Sequence, residues 1–114
     1  MNRGDLYWVE FPPASGREQA GRRPALVVES GAPSSRLPTV VVVPITSRLE
    51  ALRFANTLEV APSRENGLQT PSVLLVFQVR AIDKRRMVPP PMGTLEPVYL
   101  EKTERLLRQL LALP

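Results

Sequence analysis

The sequence predicts a mostly-β fold finished by a single C-terminal helix. Three observations carry that reading. Residues 5–11 and the valine-rich run 39–45 have strand character and are too short for helices. Thirteen prolines in 114 residues, more than double the usual ~5%, cut the chain into short elements. Helical spacing of apolar residues begins only after Pro97.

The elements follow in order. Residues 5–11 form a first strand, with Leu6, Trp8 and Glu10 on one face and Tyr7, Val9 and Phe11 on the other. Pro12-Pro13 end it. Residues 14–22 read as a polar, glycine-bounded loop, and 24–29 as a short apolar strand. Residues 31–38 are a second loop, and 39–45 a central strand buried on both faces. Residues 47–53 are a polar connection, 54–60 another strand and 61–71 a loop. A long strand is expected over 72–82, then a charged turn at 83–86 and a rigid link at Pro89-Pro90-Pro91. Pro97 suits the first position of a helix, and Glu96 before it favours the positive end of the helix dipole. Tyr99, Leu106 and Leu110 then share one stripe, with Leu100, Leu107 and Leu111 beside it. Glu101 with Arg105, and Glu104 with Arg108, are i,i+4 pairs of the favourable order.

Composition narrows the chemistry. Apolar residues at 43% and charged residues at 23% are ordinary for a globular fold, and the length suits one domain over 1–114. The absence of cysteine excludes disulfides and thiolate metal sites. The absence of histidine excludes a zinc hydrolase, a Ser-His-Asp hydrolase and a His-pair ribonuclease. No metal or cofactor is implied. Basic residues outnumber acidic ones 15 to 11, and all but Lys84 and Lys102 are arginine. The planar arginine fork matches phosphate bidentately, so the excess is compatible with a nucleic-acid partner. No targeting segment is visible, and Val40–Val43 is far too short to span a membrane. The expected location is the cytoplasm.

Three polar segments abut strands: 16–24, 43–47 and 77–86. Strand ends can bring such segments to one surface. Without His, Cys or a carboxylate cluster, RNA cleavage stays open, because RNA carries its own nucleophile in the 2′-hydroxyl. The protein need only stabilise phosphorane charge, accept one proton and donate to the departing 5′-oxygen. Arg, Thr and Glu suffice for these roles.

Four motifs occur in order: Arg3-Gly4-Asp5-Leu6-Tyr7-Trp8-Val9, Gly16-x-Glu18-Gln19-x-Gly21-x-Arg23-Pro24, Val43-Pro44-Ile45-Thr46-Ser47, and Gln78-Val79-Arg80-Ala81-Ile82-Asp83-Lys84-x-Arg86. Together they resemble the MazF/PemK (Kid) family of toxin endoribonucleases from bacterial toxin–antitoxin modules, over nearly the whole chain. The resemblance implies an SH3-like small β-barrel of the MazF/PemK/CcdB type, over about 1–95, with the helix over about 97–112. It implies a homodimer that cuts single-stranded RNA, mainly mRNA, at short motifs without metal. The products carry 2′,3′-cyclic phosphate and 5′-hydroxyl ends, and translation and growth stop. It also implies a cognate antitoxin that lays an acidic, extended segment across the RNA groove.

Carried over by position, the family's catalytic arginine matches Arg23 and its catalytic threonine Thr46. Arg23 is then mainly the charge-stabilising donor, since a guanidinium makes a poor base. Thr46 would hydrogen-bond a non-bridging phosphate oxygen. Glu18 is the most plausible proton acceptor or else only holds its loop. Arg17, Gln19, Ser47, Gln78, Arg80 and Arg86 are the further candidates for RNA contact. For Gln78 and Arg80 a structural role is the alternative, and for Arg86 a solvated turn. Some relatives have histidine at Arg17 and an acidic residue at Phe77, so those roles do not transfer. The loops over 31–38 and 48–70 vary among relatives and leave base recognition unassigned. Tyr7 and Trp8 are read as core or dimer packing rather than base-stacking groups. Two rival readings remain: a non-catalytic poison of a protein target such as gyrase, as in CcdB toxins, and a plain single-stranded RNA-binding module.

Overall fold

A computed structural model describes residues 1–14, 16, 18–31 and 36–114. Strand β1 (Asp5–Phe11) lies between β2 (Gly21–Val27) and β7 (Met87–Thr94), antiparallel to both. β2 pairs with β3 (Thr39–Thr46). The C-terminal end of β3 pairs with β5 (Ser72–Leu75), which carries β4 (Thr57–Val60) on its far side. The first half of β3 pairs with β6 (Arg80–Asp83). The order is thus β4-β5-β3-β2-β1-β7, with β6 beside β3, and β4 and β7 are the ends of the sheet. Helix α1 (Pro97–Leu111) follows. This is the mostly-β, helix-finished architecture expected.

Alternation sorts the core into two clusters. Leu6, Leu26, Val43, Ile45 and Leu74 pack together and receive Tyr99, Leu100, Leu106 and Leu107 of the helix. Tyr7, Val9, Phe11, Val40, Val42 and Ile82 form the second cluster. Leu6 and its neighbour Tyr7 therefore serve different clusters, as strand geometry requires. Each fully buried Val or Leu contributes about 1.5–3 kcal/mol of transfer free energy. β3 is buried along most of its length, as expected of a central strand.

Several expected boundaries change. β2 starts at Gly21, so Arg22 and Arg23 belong to a strand and not to the preceding loop. Pairing of Gly21–Arg23 with Phe11–Val9 draws these polar residues into the ladder. Residues 49–53 form a 3₁₀ turn, and β4 begins only at Thr57. The long strand over 72–82 is broken: β5 ends at Leu75, Val76–Gln78 form a 3₁₀ turn, and β6 starts at Arg80. The register against β3 shifts by the three residues of that turn, which displaces Phe77 and Gln78 out of the ladder. Pro89-Pro90-Pro91 is no separate link. It lies inside β7, at the irregularity in its pairing with β1 on the sheet edge, where missing N–H donors cost least.

The helix starts as expected, with Glu96 at the cap and Pro97 first. Its buried stripe is centred on Thr103, which is fully buried and donates its hydroxyl to the Tyr99 carbonyl at 2.8 Å. Leu111 falls off the stripe and is exposed. Glu101 pairs with Arg105 at 3.0 Å as expected. Glu104 instead takes Arg3, through both Nε and Nη2, and so ties the N-terminus to the helix.

One loop is held with unusual tightness. The side chain of fully buried Asn66 accepts from the N–H groups of Ser63 and Leu68 and donates to the Ala61 carbonyl and to Glu96. Next to it, Gly67 has φ +76°, and a Cβ there would collide with the Met92 carbonyl.

Candidate functional site

β2 and β3 set the centre of the site. Ala25 pairs with Pro44 across the two strands. Extending that register by two residues sets Arg23 opposite Thr46, where side chains two positions along share a face. Arg23 is half-buried, and its Nε donates to the Ala20 carbonyl at 3.4 Å. Thr46 closes β3 and is 5% exposed. Its Oγ1 accepts from the Arg48 N–H at 3.2 Å, a short local turn that fixes the hydroxyl oxygen.

Arg23 and Thr46 line one concavity of about 290 Å3 together with Glu18, Gln19, Ala20 and Arg48. Glu18 is exposed at its rim. Thr46, Gln19 and Arg48 also line an adjoining pocket of about 500 Å3, walled by Phe54, Phe77 and Gln78. Glu18, Phe77, Gln78 and Arg80 line a third, of about 470 Å3. On the other side, Arg23 borders a groove of about 590 Å3 with Trp8, Arg22, Ser47, Gln69 and Thr70. These depressions share lining residues along one track of the surface, and Arg23 and Thr46 each line two of them.

The remaining sequence candidates fall around this track. Gln78, on the 3₁₀ turn, accepts the Gln19 N–H at 3.2 Å and so ties the loop before β2 to the site. Ser47 is exposed and borders the Trp8 side rather than the Thr46 concavity. Arg80 is half-buried, with its guanidinium 5.7 Å from the centre of the Phe11 ring. Arg86 stands outside the Arg23–Thr46 concavity, where its Nη1 donates to the Glu10 carbonyl at 3.2 Å. Arg17 lies outside the described residues. Tyr7 is core, as expected, but Trp8 is 38% exposed and has the Arg22 guanidinium over its ring at 5.7 Å.

Sequence reasoning missed Arg48, Phe54 and Phe77 at the site. The signal available was weak: an arginine two residues after Thr46, and two aromatics in mixed surroundings, Phe54 beside Arg53 and Phe77 beside Gln78.

Arg23, the Thr46 hydroxyl held by the Arg48 N–H, and exposed Glu18 together line the small concavity. That set can bind an anionic tetrahedral group and accept a proton beside it. Among the described residues, no three His, Cys, Asp or Glu side chains cluster in a way that could hold a metal ion. At the end of β6, hydrogen bonds from Arg85 hold the Asp83 carboxyl well below its usual range, at about 2. Burial, and secondarily Asp5, raise the pKa of the Tyr7 phenol.

Known proteins resemble the chain over most of its length. The family model for PemK-like, MazF-like toxins of type II toxin–antitoxin systems matches residues 2–111. An endoribonuclease MazF of Staphylococcus saprophyticus is 34% identical over 87 residues, 76% of this chain and 72% of that protein. The crystal structure of MazF from Deinococcus radiodurans superposes with a TM-score of 0.82 at 27% identity, over 99% of this chain and 97% of that one. A MazE–MazF structure from the same organism gives 0.76 at 29% identity, over 100% and 97%.

Proposed function

The chain belongs to the PemK-like, MazF-like toxins of type II toxin–antitoxin systems, and from that premise we propose that it is an endoribonuclease that cuts single-stranded RNA at the Arg23–Thr46 concavity. The observation that carries the reading is that Arg23 on β2 and Thr46 at the end of β3 line one concavity.

The chemistry uses the substrate's own nucleophile. The ribose 2′-oxygen attacks the adjacent phosphorus, and the bond to the 5′-oxygen breaks. Glu18 takes the 2′-hydroxyl proton at the rim. Arg23 neutralises charge on the phosphorane oxygens and is the candidate donor to the departing 5′-oxygen. Thr46 orients a non-bridging oxygen with its hydroxyl hydrogen, because its Oγ1 already accepts from Arg48. The products are a 2′,3′-cyclic phosphate and a 5′-hydroxyl. No step needs a metal or cofactor.

The setting follows the family: a cytoplasmic homodimer, with growth arrest by mRNA cleavage. Its partner is an antitoxin whose acidic, extended segment covers the same track. No described helix is long and apolar enough to cross a membrane.

The test is cleavage of RNA by purified protein in EDTA. Fragments with 2′,3′-cyclic ends are expected, and a 2′-deoxy residue at the cut site should abolish them. Binding without cutting would sink the nuclease reading and favour the plain RNA-binding module.

A further inference from the structure

The pocket of about 500 Å3 beside Thr46 has a make-up that phosphate binding does not explain. Phe54 and Phe77 form a tilted pair with ring centres 5.5 Å apart and planes at 54°. The Arg53 guanidinium lies 4.7 Å from the centre of the Phe54 ring. Both rings are held by their backbones: Phe77 N–H donates to the Asn56 carbonyl at 3.2 Å, and the Phe54 carbonyl accepts from the Thr57 hydroxyl at 2.9 Å. Both remain half-buried, so ring surface faces the pocket. On the same wall, the Gln19 side-chain oxygen is buried and has no hydrogen-bond partner among the described residues. An unpaired buried acceptor is destabilising unless a donor fills it.

We propose that the contacting Phe54 and Phe77 rings make one wall of a slot for one unstacked nucleobase next to the scissile phosphate, with the Gln19 oxygen accepting an N–H from the base edge. This rests on the nuclease reading above and extends it to base recognition. Three features fit a nucleobase. Aromatic rings bind bases by their π-faces, and single-stranded RNA offers unstacked bases. Every nucleobase carries an N–H on its Watson–Crick edge that can meet an amide oxygen. Gln19, Thr46 and Arg48 line both this pocket and the phosphate concavity, so base and phosphate of adjoining units can sit together. The break of the strand at 76–78 is what pushes Phe77 into this position.

The experiment is a substitution cycle on RNA affinity. An oligoribonucleotide selected by binding from a random pool is given a single abasic residue at each position in turn. Affinity is read by fluorescence anisotropy, with 2′-deoxy at the cut site to prevent turnover. For the parent protein, one position next to the cut should cost roughly tenfold when abasic. With Phe77→Leu, which keeps apolar volume but removes the ring, that penalty should shrink to less than threefold, and the other positions should be unaffected. Phe77→Trp should restore it. Gln19→Leu should likewise shrink the abasic penalty at that position alone. Identical abasic profiles for the parent and Phe77→Leu would overturn the slot, as would a Gln19→Leu effect at a different position. Cleavage of the all-ribose oligonucleotide is scored in parallel. If it stays uncut while the profiles change as stated, the nuclease reading fails and the slot stands.

Discussion

The Gln78 side-chain oxygen accepts the backbone N–H of Gln19 at 3.2 Å, across 59 residues of sequence. The bond begins a short relay. Gln19 leads to Ala20, and the Ala20 carbonyl accepts from Arg23 Nε at 3.4 Å. The 3₁₀ turn at Val76–Gln78 thus helps set where the Arg23 guanidinium, the proposed charge-stabilising group, points. Gln78→Ala should release the loop and lower cleavage about tenfold, the effect of roughly 1.4 kcal/mol in transition-state stabilisation. Single-turnover rates at saturating RNA check this, and an unchanged rate would remove Gln78 from the positioning role.

Arg23→Ala should reduce cleavage about 10²- to 10³-fold, the usual cost of removing one charge-stabilising donor. The fold should survive, because among the described residues this side chain makes only the long hydrogen bond to Ala20. Circular dichroism and the thermal midpoint separate the two effects. Arg23→Lys should not recover the parental rate, since a point charge lacks the planar fork. Near-parental cleavage by Arg23→Ala would mean the site is elsewhere.

Thr46→Ser and Thr46→Val should behave oppositely. Serine keeps the hydroxyl, the Arg48 contact and most of the rate. Valine keeps the shape in this 5%-exposed position but removes the oxygen. It leaves the Arg48 N–H without its acceptor, at about 1 kcal/mol of stability, and should cut the rate about 10²-fold. Equal rates for the two variants would show that the hydroxyl takes no part.

Much of this was legible in the sequence, for identifiable reasons. The valine-rich run marked 39–45 as a central strand, and the structure carries that strand one residue further, to Thr46. Arg23 was legible from its motif, but its place inside a strand was not, because polar residues read as loop until β1 pairs with them. The break at 76–78 was invisible for the opposite reason. Val76 and Phe77 favour strand, and only the shift in pairing against β3, with the Asn56 carbonyl taking the Phe77 N–H, turns the chain there. The aromatic slot and the Arg48 contact depend on that tertiary geometry, so no local pattern announces them.

Acid should weaken the turn after β6. The Asp83 carboxyl is held at about 2, against 3.8 when unperturbed, chiefly by hydrogen bonds from Arg85. A depressed carboxylate stabilises the folded state above its unfolded pKa and loses that contribution as pH falls through the folded value. The stability difference between the parent and Asp83→Asn should therefore be constant above about pH 5 and close between about pH 4 and pH 2. Because the pair lies at the surface, with Arg85 largely exposed, added salt should shrink the difference at neutral pH. Tyr7 works in the other direction. Its raised pKa keeps its contribution intact below about pH 10, and ionisation withdraws it above that. Denaturant titrations across both ranges test the two signs.

Gly67→Ala should be among the most destabilising single changes in the chain. Its φ of +76° disfavours any side chain, and the added Cβ would strike the Met92 carbonyl, which is backbone and has little room to give. Asn66→Ala should cost about 2–4 kcal/mol by a different route, since it strips partners from the Ser63 and Leu68 N–H groups and the Ala61 carbonyl at once. Both changes loosen the loop that carries Gln69 and Thr70 along the groove beside Arg23. Cleavage measured well below the thermal midpoint should then fall by less than tenfold for Asn66→Ala, because neither Arg23 nor Thr46 touches this loop's hydrogen bonds. A loss as large as that of Arg23→Ala in a folded Asn66→Ala protein would place the loop itself at the reacting phosphate.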